Sequence, residues 1–85
     1  MELRQLVSFY HVAQLRSVSK AARTLALGQP TVTTHLRKLE DAGYVEIEKR
    51  FEGRKPQTRV HLTAAGRNAW LDYLARMRAL LDAAE

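Results

Sequence analysis

Apolar residues recur in the first fifteen positions of the chain with the period of an α-helix. The spacing i, i+3, i+4, i+7 is typical of a helix that buries one face. The residues that follow this spacing are Leu3, Leu6, Val7, Tyr10 and Ala13. Phe9 and Val12 widen the apolar stripe. The pattern therefore predicts a first helix from Leu3 to Leu15.

A short second helix and a tight turn are predicted next. Ser19 is placed as the N-cap of a helix over Lys20–Ala26, because a serine oxygen accepts a hydrogen bond from an amide of the first turn. Leu27 and Gly28 end this helix, and Gly28 is able to take the positive φ that a tight turn often needs. Pro30 lies in the first turn of the following helix, where its missing N–H costs no hydrogen bond.

The third helix is predicted to cover Gln29–Ala42. Its buried stripe consists of Val32, Leu36 and Leu39. Gly43 occupies the position after the C-terminus where glycine commonly stops a helix. The other face of this helix is therefore left for contacts outside the chain.

After the third helix the apolar period changes from 3.6 to 2, which is typical of strands. Apolar and charged residues alternate in Tyr44–Lys49 and again in Thr58–Leu62, and these segments are predicted to pair as a hairpin. Arg50–Gln57 joins them. This segment is longer than a two-residue turn and carries basic side chains toward its tip, so it predicts a loop of the kind called a wing.

A long last helix is predicted from Ala64 to about Ala83, with Thr63 as its cap. At about 1.5 Å per residue it is a rod about 30 Å long, longer than the core it has to cover. Apolar residues with a 4-3 spacing continue along it, so we predict that a second copy of the chain buries them. The predicted dimerisation residues are Trp70, Tyr73, Leu74, Met77 and Leu81. The alternative is that this stripe packs within one chain over the first helix.

These elements together predict a mainly α fold with a small β-hairpin, a winged helix-turn-helix with a long C-terminal dimerisation helix. The 85 residues suffice for one core, so we expect one domain. Residues 1–62 are its winged helix-turn-helix part, and residues 63–85 are its dimerisation helix. In this motif the second helix, which is the third helix of this chain, lies in the major groove of DNA.

The charge of the chain is unevenly distributed. The formal net charge is +5, and the segment between Leu3 and Leu39 contains six basic residues and no Asp or Glu. All acidic residues lie at Glu2 or from Glu40 onward, mixed with the remaining basic residues. Such asymmetry favours a polyanionic partner, because neutralised phosphates release counterions. The alternative is a basic surface that serves solubility.

The residue types on the exposed face of the third helix suit double-stranded DNA. The predicted base-contacting residues are Gln29, Pro30, Thr31, Thr33, Thr34, Arg37 and Lys38. Glutamine pairs with adenine, arginine pairs with guanine, and a threonine methyl group meets a thymine methyl group. The cations predicted to hold phosphates are Lys20, Arg23, Arg50, Arg54, Lys55 and Arg59. Arg54 or Lys55 has the alternative of entering an adjacent narrow minor groove.

The first half of the chain contains a set of family motifs. They are Leu3-Arg4-Gln5-Leu6, Phe9, Ser19–Leu25 with its Ala21-Ala22 pair, Gln29-Pro30-Thr31-Val32-Thr33 and Leu39-Glu40. In these motifs residues 1–40 resemble the start of LysR-type transcriptional regulators. The resemblance implies that the last helix dimerises. It also implies that the residues in contact with DNA are Gln29, Pro30, Thr31, Thr33 and Thr34.

The second half departs from that pattern, because no short wing, Leu-Phe pair or effector-binding domain follows. Leu36–Glu46, the basic wing and Leu62–Arg67 instead resemble MarR-type or stand-alone winged-helix regulators. The mixture indicates either a natural small family or a hybrid of the two. No small-molecule effector is expected for it.

An enzyme is the first alternative class, and the residues argue against it. The imidazoles are His11, His35 and His61, no pair of them has the i, i+4 spacing of a helical metal site, and the chain has no cysteine. We therefore expect no catalytic residue, no metal and no cofactor.

Two binding functions of other classes remain open. A winged helix also serves as a protein-docking or non-specific architectural DNA-binding module, because fold alone does not determine function. A basic face also meets RNA or a left-handed duplex by shape. The chain shows no membrane span and no export signal, so we expect it in the cytoplasm, with the nucleoid if the source is prokaryotic.

Overall fold

The computed structural model describes residues 1–84 and contains four helices and one hairpin within them. The elements are α1 (Leu3–Leu15), α2 (Val18–Leu25), α3 (Gln29–Asp41), β1 (Val45–Glu52), β2 (Lys55–Leu62) and α4 (Ala64–Ala83). This is the mainly α arrangement with a small hairpin that the sequence predicts. Glu85, the last residue of the predicted dimerisation segment, lies outside the described residues.

The core lies where α1, α2 and α3 meet the base of the hairpin. Its buried residues are Val12, Ala21, Ala22, Val32, Leu36 and Val60, with Phe9, Ala13, Val18 and Ile47 packed against them. The small side chains of Ala21 and Ala22 let α2 approach its neighbours closely, because a larger residue there would hold the helices apart. The predicted buried stripe of α3 is confirmed at Val32, Leu36 and Leu39.

Helix α1 buries a face that its apolar pattern alone does not predict. Leu6 and Val12 are buried, whereas Leu3, Val7 and Tyr10 of the predicted stripe are exposed. The buried face includes Ser8, whose Oγ lies 2.7 Å from His35 Nδ1 of α3. Because the Ser8 hydroxyl has a hydrogen-bond partner, its burial is tolerated. Helix α1 is therefore rotated about its axis relative to the orientation that its apolar pattern predicts.

Helix α2 begins earlier than predicted, and its N-cap is Ser17 rather than Ser19. The Ser17 Oγ accepts a hydrogen bond from the Lys20 amide at 3.2 Å. Ser19 lies inside the helix, with its Oγ 3.1 Å from that of Ser17. Starting the helix at Val18 brings that side chain against the core, which accounts for the difference.

The turn between α2 and α3 takes its left-handed residue at Ala26, with φ 55°, and not at Gly28 as predicted. The Ala26 N–H bonds back to the carbonyls of Ala22 and Arg23, so the chain reverses before it reaches Gly28. Gly28 has φ −73° and is the N-cap of α3, with Pro30 in the first turn. The predicted start of α3 is therefore confirmed.

The long wing loop predicted over Arg50–Gln57 is wrong, because both strands continue through it. β1 and β2 pair in antiparallel register from Val45 opposite Leu62 to Glu52 opposite Lys55. Only Gly53 and Arg54 remain as the turn, and Gly53 has the positive φ of 63° that a two-residue hairpin turn needs. Each strand of a two-stranded sheet has one edge without a neighbouring strand. Proline has no N–H to donate to a neighbour, so Pro56 is accommodated in β2.

The predicted cap of α4 is confirmed: the Thr63 Oγ1 accepts a hydrogen bond from the Gly66 amide at 3.0 Å. Thr63 also donates to the carbonyls of Gly43 and Tyr44, so the start of α4 is attached to the end of α3. The rest of α4 extends away, and the longest dimension of the molecule is 52 Å. No helix among the described residues is both long and apolar enough to cross a membrane.

Candidate nucleic-acid interface

The two faces of the hairpin differ in charge. The groove-side face, which continues from the core, carries Val45, Ile47, Lys49 and Phe51 of β1 and Pro56, Thr58, Val60 and Leu62 of β2. The outer face carries Glu46, Glu48, Arg50, Glu52, Lys55, Gln57, Arg59 and His61. Since successive side chains of a strand point to opposite faces, all acidic residues of the hairpin lie on the outer face.

A groove of about 510 Å³ lies between α3 and the groove-side face of the hairpin. We call it the α3–hairpin groove. Its polar lining comes from two elements far apart in sequence: Gln29, Thr33 and Arg37 of α3, and Lys49 and Thr58 of the hairpin. Two cations are thereby brought to one concave surface, together with amide and hydroxyl groups. This combination is suited to a polar, negatively charged ligand.

One carboxylate, that of Glu40, also lines the α3–hairpin groove. Glu40 follows Gln29 by three turns of α3, which places it about 16 Å along the helix axis. The end of the groove near the N-terminus of α3 therefore lies farthest from this acidic residue.

The predicted base-contacting residues divide between two flanks of α3. Gln29, Thr33 and Arg37 line the α3–hairpin groove. The other residues lie on the far flank around a shallow cleft that His35 shares; they are Pro30, Thr31, Thr34 and Lys38. On that flank the Thr34 hydroxyl donates to the Pro30 carbonyl at 2.8 Å, which leaves its methyl group and its oxygen lone pairs for other contacts.

The predicted wing cations are not equivalent in the structure. Arg50, Lys55 and Arg59 lie on the outer face among the glutamates, and Arg54 lies in the turn. Arg50 pairs with Glu48 at 3.0 Å, and Arg59 stands opposite Glu48 in the register. The charges on this face therefore largely offset one another. Its other polar pairs are His61 with Glu46 at 3.0 Å and Gln57 with Glu52.

Lys20 and Arg23 lie on the exposed side of α2, around a shallow surface that includes Leu15 and Thr24. Within residues 1–84, neither of them nor Arg37 or Lys49 forms an ion pair. Since no carboxylate of the described residues is bonded to them, these cations are available to an external anion.

Sequence reasoning missed Lys49, Thr58 and Phe51 as candidate contact residues. A usable signal was present for Lys49, because it is in phase with the buried Val45 and partly buried Ile47 of the same strand. A period of 2 places it on their face, beside α3. Thr58 carries the same signal, because it begins the second predicted strand in phase with Val60 and Leu62. Phe51 lies in the segment Arg50–Gln57, which is wrongly predicted to be a loop and therefore has no predicted strand phase.

The predicted dimerisation residues lie along α4 and become more exposed toward its end. Trp70 and Tyr73 are half-buried and stacked, with ring centroids 5.7 Å apart. Leu74 and Met77 are 43% and 41% exposed, and Leu81 is 69% exposed. The part of this apolar stripe from Leu74 to Leu81 is therefore uncovered in the single chain.

Comparison with known proteins identifies a family and a fold. Residues 5–81 match the family described as a winged helix DNA-binding domain. The HTH-type transcriptional regulator ClcR of Pseudomonas putida is 42% identical over 67 residues, 78% of this chain and 21% of ClcR. The curated relatives it matches are longer, and the chain spans between 21% and 37% of their length.

Two solved structures share the architecture. A transcriptional regulator homologue from Pyrococcus horikoshii has a TM-score of 0.76 and 25% identity, over 96% of this chain and 83% of that chain. A MarR-like transcriptional regulator from Thermotoga maritima has a TM-score of 0.65 and 27% identity, over 99% of this chain and 60% of that chain. The predicted winged-helix fold is thereby confirmed.

Both family resemblances have counterparts among these matches. LysR-type regulators are among the sequence relatives, and a MarR-like regulator is among the structural ones. What they share is the winged helix DNA-binding domain of transcriptional regulators, which are not enzymes. That the chain is a hybrid of the two remains a prediction.

Proposed function

Because the chain belongs to the family of winged helix DNA-binding domains of transcriptional regulators, we propose that it binds an inverted-repeat operator in double-stranded DNA as a homodimer. In each subunit α3 lies in the major groove and the hairpin lies against the neighbouring backbone or minor groove. The observation that carries this proposal is the α3–hairpin groove, in which Arg37 and Lys49 stand on one surface.

The flank of α3 that lines the groove supplies the direct reading of bases. Gln29, Thr33 and Arg37 are spaced by four residues, so they follow one another along one side of the helix. Gln29 pairs with adenine, Thr33 meets a thymine methyl group, and Arg37 forms two hydrogen bonds with guanine. Pro30, Thr31, Thr34 and Lys38 on the far flank contact bases or phosphates of the opposite groove wall.

Phosphate contacts orient the domain without specifying the sequence. Lys20 and Arg23 of α2 hold the backbone on one side of the major groove. On the hairpin side the contacts come chiefly from Lys49 and Arg54. Arg50, Lys55 and Arg59 contribute less, because the outer face already holds glutamates beside them.

The homodimer is formed through α4. Residues 63–85 act as the dimerisation part and residues 1–62 as the DNA-binding part of a single domain. Trp70, Tyr73, Leu74, Met77 and Leu81 meet their counterparts in the second copy, where they lose their contact with water. A dimer with two-fold symmetry places two α3 helices on half-sites about one helical turn apart, or a multiple of that spacing.

The test compares two neighbouring residues that face opposite sides of one strand. The operator is selected from a random duplex library with the wild-type chain, and its binding is followed by fluorescence anisotropy from 50 to 200 mM salt. Lys49→Ala is expected to weaken binding and to reduce the slope of log K against log salt by about 1.8 for the dimer, because each subunit loses one phosphate contact and each contact contributes about 0.9. Arg50→Ala is the matched control, and it is expected to leave the slope nearly unchanged.

Equal effects of the two variants would contradict the assignment of the groove-side face to DNA. If the wild-type chain binds no duplex in a salt-dependent way, the DNA-binding proposal fails as a whole and a protein-docking role replaces it. Enrichment of a single half-site instead of an inverted repeat would contradict the dimeric arrangement.

A further inference from the structure

Phe51 is the most exposed large apolar residue among those that the structure describes. It is 76% exposed and lies near the end of β1, one residue before the last pair of the hairpin. An aromatic side chain in water loses the favourable free energy of burial, which is large for phenylalanine. No folded element covers it, so its exposure has no explanation inside the chain.

The position of Phe51 continues the α3–hairpin groove outward. Phe51 follows Lys49 on the groove-side face, and Pro56 stands opposite it across the hairpin. The groove-side face carries no acidic residue, whereas Glu52 lies on the outer face and is bonded to Gln57. The apolar pair Phe51 and Pro56 is thus flanked by Lys49 on one side and Arg54 of the turn on the other.

We infer that Phe51 is a DNA-contacting residue, which inserts as an apolar wedge into the minor groove beside the half-site that α3 reads. This inference rests on the proposed function and extends it to the apolar tip of the hairpin. The patch consists of two side chains, far less than the roughly 800 Å² that each partner of a stable protein complex buries. A cationic rim around a small wedge is instead suited to the minor groove, with phosphates on both sides.

A wedge of this kind makes the domain sensitive to base steps that no hydrogen bond reads. Insertion partly unstacks neighbouring bases, and pyrimidine–purine steps such as TA and CA are the most easily opened. Phe51 is therefore a specificity-determining residue, which favours a flexible step at a fixed distance from the half-site.

The first experiment measures the affinity of the wild-type and Phe51→Ala chains for the duplex that the wild-type chain selects. Loss of one aromatic contact in each of the two subunits is expected to weaken binding of the dimer about a hundredfold, or about tenfold per contact. The slope of log K against log salt is expected to stay unchanged, because a phenylalanine releases no counterion. The combination of lower affinity with constant slope separates this role from that of Lys49, for which both change.

Two further variants control the result. Phe51→Leu keeps an apolar wedge and is expected to retain most of the affinity, whereas Tyr10→Ala removes an exposed aromatic side chain from α1. We expect Tyr10→Ala to leave DNA affinity unchanged. Thermal unfolding by circular dichroism verifies that Phe51→Ala is folded, which its exposure leads us to expect.

The second experiment repeats the library selection with Phe51→Ala. A flexible step flanking the half-site is expected in the wild-type selection and is expected to be lost in the variant, while the half-site itself is retained. If Phe51→Ala binds the selected duplex as tightly as the wild type, or selects the same flanking step, the inference is overturned and the proposed function stands. If the wild-type chain binds no duplex, the proposed function is wrong, and the inference about Phe51 falls with it.

Discussion

The structure predicts a large effect on stability for a substitution at Gly66. A Cβ atom built on Gly66 would lie 1.9 Å from the Tyr44 carbonyl oxygen and 2.7 Å from its carbonyl carbon. These are backbone atoms and cannot rotate away as the end of a side chain does. The same Tyr44 oxygen accepts a hydrogen bond from the Thr63 amide at 3.0 Å, so it is held in place. Gly66→Ala therefore forces α4 away from the end of α3 by more than 1 Å, by comparison with an ordinary carbon–oxygen contact of about 3.3 Å.

The expected change in the free energy of unfolding has contributions of opposite sign. Alanine is favoured over glycine inside a helix by about 1 kcal/mol. Overpacking against fixed atoms costs about 3 kcal/mol, the upper part of the usual range. Loss of the hydrogen bond between Thr63 and Tyr44 adds about 1 kcal/mol. Gly66→Ala is therefore expected to destabilise the chain by about 3 kcal/mol, although helix propensity alone predicts stabilisation.

The measurement is urea unfolding followed by far-UV circular dichroism. Wild type and variant are compared at one protein concentration, because the stability of a dimer depends on concentration. Asn68→Ala is the matched control: Asn68 is exposed on the same helix, and its replacement is expected to stabilise by about 0.5 kcal/mol through propensity alone. A Gly66→Ala chain as stable as the wild type would refute the close approach of α4 to Tyr44.

Two further predictions concern the turn and the dimer. Ala26→Gly is expected to raise the free energy of unfolding by about 0.5–1 kcal/mol, because alanine at φ 55° is strained; a lower urea midpoint would contradict this. Leu81→Lys is expected to convert the dimer to monomer in sedimentation equilibrium, because a charge replaces an apolar contact at a residue that is exposed in the single chain. Asp72→Asn on the same helix is the control, and an unchanged dimer in Leu81→Lys would exclude this stripe as the interface.

The features predicted correctly from the sequence are those whose physics is local. The stop of α3 just before Gly43, the proline in its first turn and the Thr63 cap of α4 each depend on residues within one turn of a helix. The hairpin was predicted only where one face is buried, at Val45 and Val60. Farther out both faces are exposed, so a paired strand carries no apolar alternation and resembles a loop.

The candidate interface was predicted in its composition but not in its arrangement. The basic residues and the polar face of α3 are properties of the sequence. The strand pairing decides that Lys49 lines the same groove as Arg37 and that Arg50 lies on the opposite face, paired with Glu48. A shift of strand phase by one residue exchanges the two faces, and within a segment thought to be a loop no phase is defined.

The sequence by itself determined the order and type of the elements, the ends of α1 and α4, the start of α3 and the concentration of positive charge before Glu40. The tertiary structure decided which face of α1 is buried, where the pairing of Ser8 with His35 joins residues 27 positions apart. It also decided that α4 projects from the core beyond Tyr73, where Leu74, Met77 and Leu81 of its apolar stripe are exposed. The division has a physical reason: caps and periodicity depend on neighbours along the chain, whereas burial and the facing of charges depend on residues that only folding brings together.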